Sequence, residues 1–494
     1  MSQRHKHVLI LALLPLILGG CAVGPDYTAP QVVAPEKWRT ATPDDAPAIA
    51  NTPWWEIFKD ANLQELIKVG LTENKDIQIT LARLQKARAA LGITDSAFHP
   101  GVNYNATAYR SRPQAFSGTG APHGYTLGGA VQWEIDLWGR IRRLSESATA
   151  QYFATEENKN AVVLALVSEI ASNYFRLRTL DNQLAITRET IATRQSAYEQ
   201  AKTKLDAGTG NIIDVRQFEA ELLSAQAAIA DFTRAIAVQE NALNLLLGRL
   251  PGSISRTFSQ TAPASILPQI PSDLPSQLLL RRPDVRAAEQ QVRAVNATIG
   301  AAVADYFPRI SLTGALGFIH PQLGKLLESD NFGRQGGGSI VGPLFNGGAT
   351  YYSVKQAEAS TREAVAAYEQ TALNAFREVD DALTTVQTAR ERLAFLQQQV
   401  AALTEARDGI VKKYKEGVLP ILPVLDADRN LFSAQLLLAD TQAQELESSV
   451  RLYKALGGGW RASDLTPLVD ATGKVTDGPT APAAPTAPAA PTAE

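Results

Sequence analysis

Two stretches without a single glycine or proline, residues 140–206 and 349–408, constrain this chain more than any other feature. Both are rich in Ala, Leu, Gln, Glu and Arg, strong helix formers with nothing to interrupt them. A helix running the whole of 140–206 would be about 100 Å long, far beyond the helices of ordinary globular domains. Residues 212–247 and 424–456 are also free of both breakers. Mostly apolar residues there recur at spacings of three and four, as in Val163, Leu166, Ile170, Asn173, Leu177, Leu180 and Leu184, and again in Val215, Phe218, Leu222, Ala225, Ile229 and Phe232. Such stripes predict helices that supercoil against neighbours.

The chain is one unit written twice. At an offset of 208 to 209, Asp76 matches Asp284, Gly92 matches Gly300, Pro100 matches Pro308 and Glu169 matches Glu378. Further on, Gly208 matches Gly417, Ser224-Ala225-Gln226 matches Ser433-Ala434-Gln435, and Leu247-Gly248 matches Leu456-Gly457. An offset held this long is internal duplication. Prolines punctuate the units, with six from Pro25 to Pro53, five from Pro251 to Pro275 and five from Pro479 to Pro491.

Each unit also carries strand pattern. Tyr125, Leu127, Val131, Trp133 and Ile135 alternate with Thr126, Gln132 and Glu134, and Asp136 continues the polar side. Residues 102–107 alternate as well, and Ile310, Leu312, Leu316 and Phe318 oppose Ser311 and Thr313. A fourth strand is expected near Ser339 to Phe345, short and without an aromatic start. Period-two alternation suits transmembrane barrel strands. Four strands cannot close a barrel, so three chains giving twelve strands is the simplest solution. Glu134 and Asp136 on the lumen side would bias such a pore against anions.

The first residues read as an address. Arg4 and Lys6 precede an apolar run from Val8 to Leu18, too short to span a bilayer, and then Leu18-Gly19-Gly20-Cys21, like a bacterial lipobox. Cys21 is the sole cysteine and the expected lipid anchor, and Ala22 after it points to the outer membrane. Without residues 1–20 the net charge is −5, from 45 basic and 50 acidic residues. That near-balance gives no basic field for nucleic acid. No Cys-cluster metal site, phosphate-binding loop, HExxH pattern or catalytic triad is recognisable, so no enzyme activity, cofactor or metal is expected.

The expected organisation is a signal peptide at 1–20, an extended arm at 21–60, and a first repeat at 61–250. That repeat holds a helix, a β-hairpin at about 101–137, a long helix 140–206 and a helix 212–247. A Pro-rich connector follows at 251–275. The second repeat, 276–459, holds a helix, a hairpin at about 309–345, a long helix 349–416 and a helix 421–456, before a C-terminal segment 460–494 with an Ala/Pro tail. The fold class is an α+β membrane protein in which a trimeric twelve-stranded β-barrel continues into a long helical barrel.

The sequence resembles the TolC-like outer-membrane factors of tripartite export systems, in their lipoprotein efflux (NodT/OprM-like) branch. The matching pieces are Cys21-Ala22-Val23-Gly24-Pro25-Asp26-Tyr27, Trp54-Trp55, Arg281-Arg282-Pro283-Asp284-Val285, Phe307-Pro308-Arg309-Ile310, Pro343-Leu344-Phe345-Asn346-Gly347-Gly348 and Leu425-Asp426-Ala427. The resemblance spans roughly 21–470. It implies a homotrimer in outer-membrane lipid that docks through a periplasmic adaptor (membrane fusion) protein onto an inner-membrane pump of RND type. The channel would conduct drugs or other small toxic compounds passively.

The glycines of Leu205-Asp206-Ala207-Gly208-Thr209-Gly210 and of Glu416-Gly417-Val418-Leu419-Pro420 fit helix C-caps. By resemblance these turns contact the adaptor. Also by resemblance, Leu422, Asp426 and Arg429 lie where inner helices converge and gate the duct. Read from the residues alone, Asp426 and Arg429 are equally a solvated i, i+3 pair. A duct for type I protein secretion and a structural coiled-coil lipoprotein are the competing readings. A copper or silver exporter is disfavoured by the lack of methionine after Met1.

Overall fold

Long helices and one small sheet account for nearly all the regular structure. The structure, a computed structural model, describes residues 22–40, 60–110, 123–256 and 275–458. Cys21 and the signal sequence, Trp54-Trp55, most of the 251–275 connector and the Ala/Pro tail lie outside the described residues. The elements run α1 (Ala61–Glu73), α2 (Lys75–Asp95), β1 (Gly101–Arg110), β2 (His123–Ile135), α3 (Arg140–Asp206) and α4 (Ile212–Leu246). They continue as α5 (Pro275–Arg281), α6 (Pro283–Ala304), β3 (Arg309–His320), β4 (Phe332–Val341), α7 (Ala349–Lys415) and α8 (Leu422–Ala455). No described helix is long and apolar enough to cross a membrane. The chain divides into two compact bodies, and α2, α3, α6 and α7 each contribute to both.

The first body holds the sheet. Its strands are antiparallel in the order β1-β2-β3-β4, so the hairpins of the two repeats join through β2 and β3. β4 corrects the expectation from sequence. It spans Phe332–Val341 rather than Ser339 to Phe345, and it does start on an aromatic, Phe332, opposite Phe318 with ring centroids 5.3 Å apart. Gly333, Gly336, Gly337 and Gly338 erase the side-chain alternation there, so the strand is set by its pairing with β3 rather than by its own pattern.

The strands meet the helices through a tight set of contacts. Trp138 stacks on Phe307 at 4.7 Å, and its indole N–H donates to Pro308 O at 2.8 Å. The Asp136 carboxylate accepts from Ile141 N and Arg142 N, capping α3. Arg142 also pairs with Asp136 at 3.2 Å, and Arg140 pairs with Glu134 at 2.9 Å. The expected anion-repelling role of Glu134 and Asp136 is therefore corrected: both are neutralised by arginines and bind the strand end to the helix start. The arm at 22–27 lies against this junction. Val23 N donates to Trp138 O, Arg143 donates to Val23 O and pairs with Asp26 at 2.8 Å. Gly24, at φ +94°, sits so close that a Cβ would lie 2.4 Å from Gly300 Cα, which only glycine permits.

The second body is a helical bundle. Its core includes Leu63, Ile67, Ile170, Tyr174, Leu177, Leu243 and Tyr453, all buried. Asp60 caps α1 by accepting from Asn62 N and Leu63 N, and its other oxygen accepts from Tyr174 Oη at 2.8 Å. The Arg281-Arg282-Pro283-Asp284-Val285 motif is a clamp. Pro283 opens α6, and buried Arg282 pairs with Asp284 at 2.6 Å and Glu378 at 2.8 Å while donating to Ala455 O. The motif thus ties α6 to α7 and to the end of α8.

Helix turns, an ion-pair network and the family they belong to

Gly208 and Gly417 end the two long helices in the same way. Gly208 N donates to Leu205 O and Thr209 N to Lys204 O, while Gly417 N donates to Tyr414 O and Val418 N to Lys413 O. With φ of +73° and +78° these are twin Schellman motifs, one per repeat. The chain's re-entry differs between the two. Asn211 caps α4 by accepting from Ile213 N at 3.0 Å. Gly210 lies against the last turn of α3, where a Cβ would fall 2.6 Å from Leu205 N. The second turn has no side-chain cap and uses Pro423 in the first turn of α8 instead.

Both turns expose apolar side chains. Val418 is 67 % exposed and Leu422 55 %, whereas Leu419 and Ile421 are partly buried. Ile212 and Ile213, at 50 % and 59 %, do the same on the first turn. The repeat offset was the signal for them, because Ile213 stands where Leu422 stands in the second repeat. Beneath the turns lies a small core of Ala201, Val215, Phe218 and Leu425, with Tyr414 edge-on to Phe218 at 6.3 Å. Lys204 Nζ stands 4.9 Å from the Tyr414 ring centroid. Burial, aided by the Asp214 charge, raises the Tyr414 hydroxyl above its ordinary pKa.

Asp426 and Arg429 do pair, at 3.3 Å within the chain, with Leu422 one turn earlier on the same face of α8. Arg429 makes a shorter bond to Glu221 on α4, 2.6 Å. Glu221 in turn pairs with Arg194 on α3 at 3.2 Å, and Arg194 pairs with Asp428 on α8 at 2.8 Å. The Arg194 guanidinium also lies 5.4 Å from the Phe432 ring centroid and donates to Glu221 O at 2.7 Å. Sequence reasoning found Asp426 and Arg429 but missed Glu221, Arg194 and Asp428. Glu221 adjoins the stripe residue Leu222, and Asp428 lies between Leu425 and Leu431. Charges flanking an apolar seam are where interhelical pairs form. A cavity of about 540 Å³ borders the network, lined among others by Glu189, Arg194, Lys204, Glu221, Arg407 and Asp428. No cluster of metal ligands occurs among the described residues.

The described site thus offers apolar turn tips and a lattice of ion pairs that joins α3, α4 and α8. The outer membrane efflux protein family profile matches residues 66–249 and 274–458. The solvent efflux pump outer membrane protein SrpC of Pseudomonas putida is 37 % identical over 472 residues, covering 93 % of this chain and 100 % of that protein. The cation efflux system protein CusC of Escherichia coli O6:H1 is 32 % identical over 453 residues, covering 90 % of this chain and 97 % of that one. The open-state outer membrane channel MtrE of Neisseria gonorrhoeae has a similar structure, with a TM-score of 0.80 at 29 % identity, covering 89 % of this chain and 99 % of that one. The chain therefore belongs to the outer membrane efflux protein family: its four strands are one protomer's share of a trimeric twelve-stranded barrel, and it is an outer-membrane channel of an efflux pump.

Proposed function

We propose that this channel is the passive exit duct of a tripartite pump, closed at the turn end by Leu422, Asp426 and Arg429 and engaged there by a periplasmic adaptor. The inner-membrane pump, of RND type, supplies energy and chooses the substrate among small toxic compounds. Cys21 carries the lipid anchor. The observation that carries the reading is the charge lattice at the start of α8. There Arg429 is shared between Asp426 on its own helix and Glu221 on α4, so splaying α8 away from α4 breaks the Arg429–Glu221 bond while Asp426 keeps Arg429 paired within α8. The turns Gly208-Thr209-Gly210 and Gly417-Val418-Leu419 are glycine-fixed tips at which exposed Val418 and the flanking Ile212, Ile213 and Leu422 offer the adaptor apolar surface.

In planar bilayers the Asp426→Ala/Arg429→Ala variant is expected to show higher single-channel conductance than the wild type. Conductance equal to the wild type refutes the gate. Deletion of the gene should sensitise cells to one chemical group of dyes, detergents, solvents, antibiotics or metal ions. The wild-type gene should restore resistance, and Cys21→Ser should restore it less well. A panel without any change would refute the efflux role.

A further inference from the structure

We propose that the outer rim of the barrel binds the phosphate-bearing headgroup of an outer-leaflet lipid, through Arg110, His123, His320 and Arg334. The register sorts the sheet into two faces. Val102, Leu127, Val131, Leu312, Leu316 and Phe318 share one, and Asn105, Thr126, Gln132, Ser311, Thr313 and Gln335 share the other. In a closed barrel the apolar face meets hydrocarbon and the polar face lines the lumen.

The arginines and histidines on the apolar face of the four strands are Arg110, His123, His320 and Arg334, and that face carries no acidic residue. All four sit toward the loop end of the strands. Arg110 closes β1, His123 opens β2, His320 closes β3, and Arg334 is third in β4. At the helix end the same face carries Val102, Ile135, Ile310 and Ile340, with no charge. The strands feed straight into the helices at that end, so the loop end is the one facing the exterior. A face that merely tolerated charge at its water boundaries would show both signs and both ends. This one shows basic groups at one end.

Three of the four groups are near neighbours at the rim, and Arg334 extends the basic face inward. Arg110 stands directly opposite His123. Tyr125 stands opposite His320, which makes His123 and His320 diagonal neighbours, about 7–8 Å apart. Arg334 lies opposite Leu316, and its long side chain can reach outward along Phe332 to the interface. Arg110, His123 and Arg334 have no ion-pair partner among the described residues. His320 Nδ1 is held by the Gln322 backbone, 2.9 Å from N and 3.0 Å from O, which leaves Nε2 for a ligand. Tyr125 and the Phe318–Phe332 pair flank the group at interface depth, as an aromatic girdle does. An anion bound here must have acyl chains lying beside Leu127, Leu316 and Phe318, and that selects a lipid over a soluble anion.

The test uses the assembled trimer in phosphatidylcholine nanodiscs, with lipid A as the probe. Its dephosphorylated form and inorganic phosphate are the comparison arms, and bound lipid is counted by native mass spectrometry. The wild type should retain lipid A over the dephosphorylated form, and retention should fall as salt rises. The variant Arg110→Gln/His123→Gln/His320→Gln/Arg334→Gln should lose it at least about tenfold, with about fivefold from either arginine alone. Arg110→Lys/Arg334→Lys should keep it. If the quadruple variant fails to assemble, the single variants Arg110→Gln and His320→Gln carry the test. Equal retention of the two lipid forms overturns the proposal, as does a variant that binds like the wild type. Displacement of lipid A by inorganic phosphate at equal concentration also overturns it, in favour of a soluble-anion site.

Discussion

Arg194 and Arg429 look alike in the sequence and do different work in the fold. The Arg194 side chain is 5 % exposed and its partners Glu221 and Asp428 are 14 % and 19 % exposed, so little water is left to replace a lost bond. Arg429 and Asp426 are 51 % and 55 % exposed, and water can take over from either. Arg194→Ala is therefore expected to cost about 3 kcal/mol, the lower end for breaking a buried pair. Arg429→Ala alone should cost under about 1 kcal/mol. Hydrogen exchange at the starts of α4 and α8 is the measurement. The Arg194 variant should exchange much faster there than the Arg429 variant, and equal protection would show that the network is not centred on Arg194. The asymmetry has a mechanical sense: Arg194 holds α3, α4 and α8 in register, while the exposed pair can open without unfolding them. At this scale the glycines of the turns were legible, because a positive φ leaves few choices of residue. The ion-pair lattice was not, because it joins three helices whose mutual rotation no single stripe of residues specifies.

Among the elements, α6 shows how a short motif becomes a fixed joint. Burial by itself would raise the Asp284 carboxyl, but two hydrogen bonds from Arg282, at 3.0 and 2.6 Å, and the guanidinium charge outweigh it. Val285 N adds a third bond, and the carboxyl lies below its usual pKa. A depressed folded pKa contributes stability above the unfolded value, and that stability is lost as pH falls through the folded value. Asp284→Asn should thus lower resistance to denaturant near neutral pH, and the gap from wild type should close below about pH 4. A gap that persists in acid would mean that the carboxylate's charge is not what holds Arg282. The long helices were readable from the absence of breakers, and β1 to β3 from alternation. β4 was misplaced because four of its ten residues, Gly333, Gly336, Gly337 and Gly338, have no side chain to alternate. Its position is a property of β3, which supplies the partner for every residue from Phe332 to Val341.

For the whole molecule, the decisive fact is that, among the described residues, β1 and β4 are edges with no partner strand, on a sheet with one apolar and one polar face. Unpaired strand edges cannot sit in hydrocarbon, so the sheet must close with other copies before or as it enters the membrane. Assembly and insertion are then one event, and a charge should act differently on the two faces. Val131 and Gln132 are neighbours near the middle of the four-stranded sheet, opposite Gly314 and Thr313. Val131→Arg places a charge in the lipid at a cost of about 2–4 kcal/mol per chain, paid three times over in the trimer. Gln132→Arg places the same charge in the aqueous lumen. The first variant should lose the trimer band on semi-native gels and leave the outer-membrane fraction, while the second should assemble normally with altered ion selectivity in bilayers. If both variants assembled equally well, the face assignment would fail, and with it the placement of Arg110, His123, His320 and Arg334 against lipid. If Gln132→Arg were the one that failed, the sheet would have to be turned inside out, with its apolar residues lining the pore. Val102, Leu127, Val131, Leu312 and Leu316 would then narrow and dewet the path that an efflux channel must keep open.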